Sequence, residues 1–116
     1  LEGPVIHLRP EAALALGMAV HELAANAAKY GAFSVAHGVV EICWRFTKRD
    51  TQRCLEFSWR ESGGPPVAAP RRRGLGSQLI EHGLAYELGG QAHLAFEPAG
   101  VCYALTAPLE AMEAPQ

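Results

Sequence analysis

Apolar residues between Pro10 and Tyr30 recur three or four positions apart, and this spacing predicts an amphipathic helix. Pro10 suits the first helical turn, where its missing N–H is not needed, and Gly31 is a common helix stop. The residues expected on the buried stripe are Leu16, Val20, Leu23, Ala27 and Tyr30. The helix should therefore lie with this stripe on a hydrophobic core.

Later segments of the chain alternate apolar and polar residues, as half-buried strands do. They are Val40 to Phe46, Leu55 to Trp59, Ala92 to Phe96 and Val101 to Leu105. A charged loop, Thr47 to Arg53, would join the first two, and a turn at Pro98-Ala99-Gly100 the last two. We also expect a short strand at Val5 to Leu8, a helix from about Ser77 to Leu88, and a frayed tail after Pro108.

The order strand, helix, two strands, helix, two strands predicts an α/β (α+β) fold, a two-layer sandwich. Because short loops join the strand pairs, the mixed sheet should be mostly antiparallel, with the helices on one face. The 116 residues fit one domain, residues 1–116. The chain opens on Leu1 without a methionine, so we expect it to be a fragment of a longer protein.

Net charge, hydropathy and cysteine content limit the partners and the cellular location that we expect for this protein. A net charge of −2 gives no case for nucleic-acid binding, and no apolar run approaches the roughly 18 residues of a membrane span. The cysteines are Cys43, Cys54 and Cys102, an odd number without metal-ligand spacing. Each lies in a strand-like stretch, so we expect small, reduced sheet residues and a cytoplasmic location.

A polar stripe runs beside the apolar one on the first helix. Glu22, Asn26 and Lys29 lie four and three residues apart and therefore share a face. The Asn26 carbonyl oxygen suits Mg²⁺, Lys29 suits phosphate oxygens, and Glu22 suits orienting or deprotonating an attacking group. The alternative is an ordinary amphipathic helix with polar surface residues.

Glu61 lies at the end of the second predicted strand. It shares parity with Leu55, Phe57 and Trp59 and should therefore point toward the core side. Its carboxylate suits an exocyclic amine of a base, and Gly63 would permit close approach. The alternative is a capping contact or a loop salt bridge. Trp59 itself is expected to be a core residue rather than an adenine-stacking one.

Gly74-Leu75-Gly76-Ser77 opens the second predicted helix. Free N–H groups and the helix dipole favour phosphate at such a place. Arg73 ends an arginine run just before it, which is either a phosphate contact or a solvated loop. The string lacks the Gly-Lys-Ser/Thr ending of a Walker A motif.

These motifs, in this order, resemble the catalytic and ATP-binding domain of sensor histidine kinases, which has the Bergerat fold of the GHKL group. The strings His-Glu-Leu-x-x-Asn-Ala-x-Lys-Tyr-Gly-Ala, beginning at His21, and Trp-x-Glu-x-Gly-Gly-Pro-x-Val, beginning at Trp59, resemble the HWE subfamily. The likeness runs from about Pro10 to Pro108. His21 is expected to have a structural role, in packing or hydrogen bonding to a neighbouring element.

The resemblance implies a role for each motif. The N box would contain Glu22, Asn26, Lys29 and Tyr30, with Asn26 as the magnesium ligand. Glu61 would bind adenine, Gly63 would be the first glycine of the G1 box, and Gly74 and Gly76 would form the G2 box at the phosphates. Leu75 replaces the more usual Phe between these glycines. Residues 67–73 would be a short ATP lid.

The implied ligands are ATP or ADP with Mg²⁺. The implied activity is transfer of the γ-phosphate to a histidine on a separate dimerisation and phosphoacceptor domain, with a response regulator reached indirectly. The chain lacks that helical hairpin, so the fragment alone is expected to bind nucleotide and not to label itself. Two alternatives stay open: a degenerate docking module, and a Bergerat-fold ATPase or serine kinase acting on a partner protein.

Overall fold

The computed structural model describes residues 1–65 and 79–115. In chain order the elements are helix α1 (Pro10–Tyr30), a 3-10 turn (Ala32–Ser34), strands β1 (Val39–Arg49) and β2 (Gln52–Ser62), a π-helical turn (Leu79–Gly83) continuing as helix α2 (Leu84–Glu87), strands β3 (Gln91–Glu97) and β4 (Gly100–Pro108), and helix α3 (Leu109–Met112). The α/β class expected from the sequence is confirmed.

The strands form one sheet with the order β1-β2-β4-β3. All pairings between these strands are antiparallel, whereas the sequence predicted a mixed sheet. The parallel contact in the described residues is an isolated bridge between Glu2 and Cys43 at the β1 edge. Alternation along β2 buries Leu55, Phe57 and Trp59, as predicted. These side chains pack in one core cluster with α1, which gives two layers.

The face that α1 buries includes Leu23 and Ala27 of the predicted stripe but is centred on alanines and excludes Tyr30. Its buried residues are Ala12, Ala15, Ala19, Leu23 and Ala27. Leu16 and Val20 are half-buried at the edge of the contact, and Tyr30 is 74% exposed. A stripe of alanines lets the helix backbone lie close to the sheet, so the larger side chains move to the flanks. Tyr30 is the last helical residue and projects beyond the core.

The two chain ends pack on each other, contrary to the frayed tail expected from the sequence. Leu109 and Met112 of α3 are buried because they lie three residues apart on one helix face. The Arg9 N–H donates to the Met112 carbonyl at 2.8 Å. The predicted strand at Val5 to Leu8 is absent from the described residues, and only Leu8 forms a bridge, to Glu113.

Two connections also differ from expectation. The predicted loop from Thr47 to Arg53 is instead a tight turn, with strand pairing continuing to Arg49 and Gln52. Asp50 adopts a positive φ of 57°, which Asp tolerates better than most residues. The charged residues here are mostly exposed on paired strands that extend past the core. The start of the second helix at Ser77 lies outside the described residues, while its predicted end before Gly89 is confirmed.

The three cysteines lie in strands, as the sequence predicted, and all are free thiols. Cys54 is buried, and Cys43 and Cys102 are half-buried. Burial, together with the nearby Glu97 carboxylate, raises the pKa of the Cys102 thiol. This shift disfavours the thiolate, so Cys102 is a poor nucleophile at neutral pH.

Tyr103 provides a test of core packing. Its hydroxyl donates to the Ile80 carbonyl at 2.7 Å, and burial raises its pKa from 10.0 to about 12. The unfolded chain therefore releases the Tyr103 proton at lower pH than the folded chain. The contribution of this proton to the free energy of unfolding is complete below pH 10 and is lost as pH rises toward 12. At about 1.4 kcal/mol per pKa unit, the full loss amounts to about 2–3 kcal/mol.

We predict that Tyr103→Phe lowers the free energy of unfolding by about 1–2 kcal/mol at pH 7, because the Ile80 carbonyl loses its donor. The variant should also lose less stability than wild type between pH 10 and 12. Urea unfolding at both pH values measures this difference. Tyr86→Phe is the control, since Tyr86 is 88% exposed. Equal alkaline losses in the Tyr103 variant and wild type would contradict the assignment.

Candidate nucleotide-binding site

The polar stripe of α1 lies beside the buried alanines, as predicted. Glu22 and Asn26 are half-buried and Lys29 is exposed. The Asn26 amide Nδ2 donates a long hydrogen bond of 3.4 Å to the Glu22 Oε1. The amide donor therefore faces the carboxylate, and the carbonyl oxygen Oδ1 is the atom left to accept from or ligate another group.

Glu61 is buried, with 4% of its surface exposed. Its Oε1 accepts the Ala32 N–H at 3.0 Å, and its Oε2 accepts the Trp59 indole N–H at 3.0 Å. The strand parity that pointed this side chain inward is thus correct. The capping alternative is also partly correct, because Ala32 is the first residue of the 3-10 turn. A carboxylate has about four lone-pair positions, so about two remain for a further donor.

Glycines lie next to Glu61 and next to the turn that contacts it. A Cβ added to Gly31 would collide with the Glu61 Oε1, and one added to Gly100 would collide with the Glu61 carbonyl oxygen. Gly63 follows the strand with a φ of 71°, in the left-handed region that favours glycine. A Cβ on Gly64 would lie 3.0 Å from the Ala32 Cα. Backbone therefore approaches Glu61 from several sides, and the residue joins the end of α1 to the end of β2.

Two of the predicted ligand-binding groups thus come together. Asn26 precedes Gly31 by five residues, which corresponds to about 8 Å along the helix axis. The Glu61 carboxylate contacts the chain just beyond that glycine, at Ala32. One ligand of nucleotide size is long enough to contact both Asn26 and Glu61.

Other predicted residues are not joined to this pair. Tyr30 is 74% exposed, and no described contact connects it to Glu61. Arg73, Gly74, Leu75, Gly76 and Ser77 lie outside the described residues, as does the lid at residues 67–73. His21 is exposed and lines a groove of about 380 Å³ with Gly17, Glu22 and Ile80, so within the described residues it shows neither the packing nor the hydrogen bond expected of it.

The residues fit a magnesium ion only in part. Within residues 1–65 and 79–115, no group of three or more His, Cys, Asp and Glu is arranged to hold a metal. Asn26 offers one hard oxygen ligand, and Mg²⁺ commonly takes one or two protein ligands and completes its shell with phosphates and water. The donor set therefore fits a metal that arrives with a nucleotide and does not fit an all-protein cage.

Two groups at the site were not identified from the sequence. The Ala32 amide had no sequence signal, because it reaches Glu61 across 29 positions of chain. Phe33 is 53% exposed, and its ring meets Trp59 edge to face with centroids 6.3 Å apart. An apolar residue just after the helix-stopping Gly31 was the available signal for Phe33. Trp59 is 2% exposed, which confirms the prediction of a core residue.

Comparisons with known proteins show which chains and folds this protein resembles. The chain is 36% identical over 114 residues to a blue-light-activated histidine kinase of Brucella anthropi, and 36% identical over 109 residues to one of Brucella ovis. These alignments cover 98% and 94% of the chain, but only 23% and 22% of those relatives. No protein-family model matches.

Solved structures show the same fold. The histidine kinase domain of the blue-light activated kinase EL346 from Erythrobacter litoralis superposes with a TM-score of 0.70 and 20% identity, covering 94% of this chain and 53% of that one. The catalytic domain of histidine kinase ThkA gives a TM-score of 0.61 and 17% identity, covering 92% and 75%. By sequence the chain is related to blue-light-activated histidine kinases over less than a quarter of their length, and it shares the fold of solved histidine kinase catalytic domains. Among the described helices, none combines the length and hydropathy that a bilayer crossing requires.

We predict that Glu61→Gln destabilises the ligand-free chain by about 1–3 kcal/mol, because a carboxamide turns its NH₂ toward one of two buried donors. Glu56→Gln is the matched control on the same strand. Glu56 pairs with the exposed Arg45 at 3.1 Å, a contact worth about 1 kcal/mol or less. Urea unfolding of both variants provides the comparison, and equal losses would mean that the two contacts to Glu61 add no stability.

Proposed function

We propose that this domain binds Mg-ATP and presents its γ-phosphate to a histidine on a separate dimerisation domain of the same kinase. The supporting observation is that Glu61 accepts the Ala32 N–H just beyond the end of α1, the helix that carries Asn26. The Trp-x-Glu string and His21 assign the domain to the HWE subfamily. We further propose that the whole protein is a bacterial, cytoplasmically exposed kinase that signals through a response regulator.

Each residue has a definite task in this proposal. Glu61 accepts the exocyclic amine of adenine with the lone pairs that Ala32 and Trp59 leave unused. The Asn26 carbonyl oxygen holds Mg²⁺, which when bound neutralises charge on the phosphates. Lys29 is exposed and long enough to follow a phosphate chain.

Glu22 lies beside Asn26 and is placed to orient the attacking imidazole or take its proton. The phosphoryl group would leave the oxygen of ADP and form a bond to the imidazole nitrogen. Arg73, Gly74, Leu75, Gly76 and Ser77 stay predicted phosphate contacts, and Tyr30 and Gly63 stay predicted members of the nucleotide site.

Binding is tested by titrating the 116-residue chain with Mg-ATP and with Mg-ADP. Ligand at 100 times its dissociation constant should raise the free energy of unfolding by about 2.7 kcal/mol. Asn26→Ala should leave the ligand-free stability within about 1 kcal/mol, since Asn26 lies off the buried stripe. The variant should nevertheless lose the magnesium dependence of nucleotide binding.

Gln91→Ala is the matched control, because Gln91 is an exposed amide on β3. It should keep both stability and magnesium-dependent binding. If wild type binds no nucleotide, the degenerate docking module becomes the better description. If Asn26→Ala unfolds, or binds with unchanged magnesium dependence, Asn26 is structural or irrelevant to the metal.

Phosphotransfer is tested with radiolabelled ATP and the helical-hairpin domain of the parent kinase added in trans. We expect acid-labile label on the added domain and none on this chain. The reaction should be slow, because covalent linkage would supply an effective concentration of about millimolar that is missing here. Label on the chain itself, or on an added serine-bearing partner, would favour the ATPase or serine-kinase alternative.

A further inference from the structure

We propose that Trp59 is a positioning residue for nucleotide recognition: its indole N–H fixes the Glu61 carboxylate in the orientation that accepts the amine of adenine. This inference rests on the proposed function, because it takes Glu61 as the adenine acceptor. The two residues are separated by one position on β2, so their side chains share the inward face of the strand. The indole nitrogen lies 3.0 Å from Oε2.

The Trp59 indole is held on several sides. It is 2% exposed, and its neighbours in register are Ile42 on β1 and Tyr103 on β4. Phe33 meets it edge to face, with an interplanar angle of 84°. A ring packed in this way cannot swing to another acceptor. Its N–H is therefore a fixed donor at the end of the strand.

The second carboxylate oxygen has its own fixed donor. The Ala32 N–H donates to Oε1, and the turn that carries it is closed by the Ser34 N–H donating to the Gly31 carbonyl at 2.9 Å. With one donor on each oxygen, the plane of the Glu61 carboxylate is defined. With only the Ala32 donor, Oε2 loses its partner, and a single hydrogen bond holds the orientation of the carboxylate less firmly. A ligand would then have to order it on binding.

Packing alone does not account for a tryptophan at this position. A phenylalanine would also fill apolar space, and it carries no polar atom that needs a partner when buried. A buried carboxylate, in contrast, is costly unless hydrogen bonds satisfy it. The indole N–H of Trp59, two residues before Glu61, supplies one of these hydrogen bonds. The two side chains lie on the same face because side-chain direction repeats every two residues along a strand.

The test compares ATP with purine riboside triphosphate, which has the same ring and phosphates but lacks the exocyclic amine. Wild type should bind ATP more tightly than this analogue. Trp59→Phe should weaken ATP about tenfold, the factor that corresponds to 1.4 kcal/mol, and leave the affinity for the analogue within about twofold. A loss confined to ATP is a readout that simple core damage would not produce.

Trp44→Phe is the matched control. Trp44 is the other tryptophan of the chain, and its indole N–H donates to the Pro4 carbonyl at 2.6 Å, away from Glu61. This variant should bind both ligands as wild type does. A second readout uses Glu61→Gln as the background: there, Trp59→Phe should cause no further loss of ATP affinity, because both changes act through one contact.

Four possible results distinguish a failure of the positioning role of Trp59 from a failure of the proposed nucleotide binding. Equal weakening of ATP and the analogue in Trp59→Phe, or no weakening of either, would overturn the positioning role. A wild type that binds ATP and the analogue equally would remove Glu61 as the amine acceptor. A wild type that binds neither would contradict the proposed function itself. A full additional loss in the Glu61→Gln background would mean that Trp59 acts independently of Glu61.

If Trp59→Phe does not fold, a closer isostere keeps the inference testable. Benzothienylalanine has the shape of tryptophan with sulfur in place of the N–H. Incorporated globally into the Trp44→Phe chain, it replaces Trp59 alone, since the chain contains two tryptophans. The same selective loss of ATP affinity is expected, and unchanged ATP affinity overturns the proposal.

Discussion

The buried carboxylate of Glu61 is the interaction on which the arrangement of this site depends. It accepts one hydrogen bond from the turn after α1 and one from the β2 tryptophan. The desolvation of a buried ion costs several kcal/mol. Loss of either hydrogen bond would therefore leave the buried Glu61 charge without enough stabilising contacts. The end of α1, the 3-10 turn and the end of β2 therefore behave as one unit. The position of Asn26 relative to Glu61 follows from that unit.

Glu61 also constrains the residues chosen in elements that are far apart in the chain, through its side chain at one position and its backbone at another. Gly31 ends α1 and Gly100 begins β4, and a methyl group at either would strike Glu61. The glycine after α1 is thus required by the side chain that lies against it as well as by the helix end. The core residue Trp59 likewise has two roles, since its ring packs in the core and its indole N–H donates a hydrogen bond to Glu61. The side chain of Glu61 thus explains the glycine after α1, and its backbone carbonyl explains the glycine at the start of β4.

Features set by local interactions could be predicted from the sequence, whereas features set by contacts between distant residues could not. The inward direction of Glu61 was predictable, because alternation is a property of the strand itself. The Ala32 donor and the packing of α3 against the segment before α1 were not, since both depend on contacts between distant parts of the chain. The buried face of α1 was predicted at Leu23 and Ala27, but its centre on further alanines was not, for another reason. Hydropathy favours leucine and valine, but close helix–sheet approach favoured alanine.

A carboxylate in this position is a poor choice for stability alone. An apolar pair in place of Glu61 and Trp59 would pack here without desolvating a charge, and replacing whole buried polar clusters by packed apolar groups is often neutral or stabilising. Local choices that lower stability without a compensating contact tend to mark functional sites. Within residues 1–65 and 79–115, two protein donors satisfy only half of the lone-pair positions of Glu61. A ligand that brings a further donor supplies the interaction that the protein fold leaves unmade.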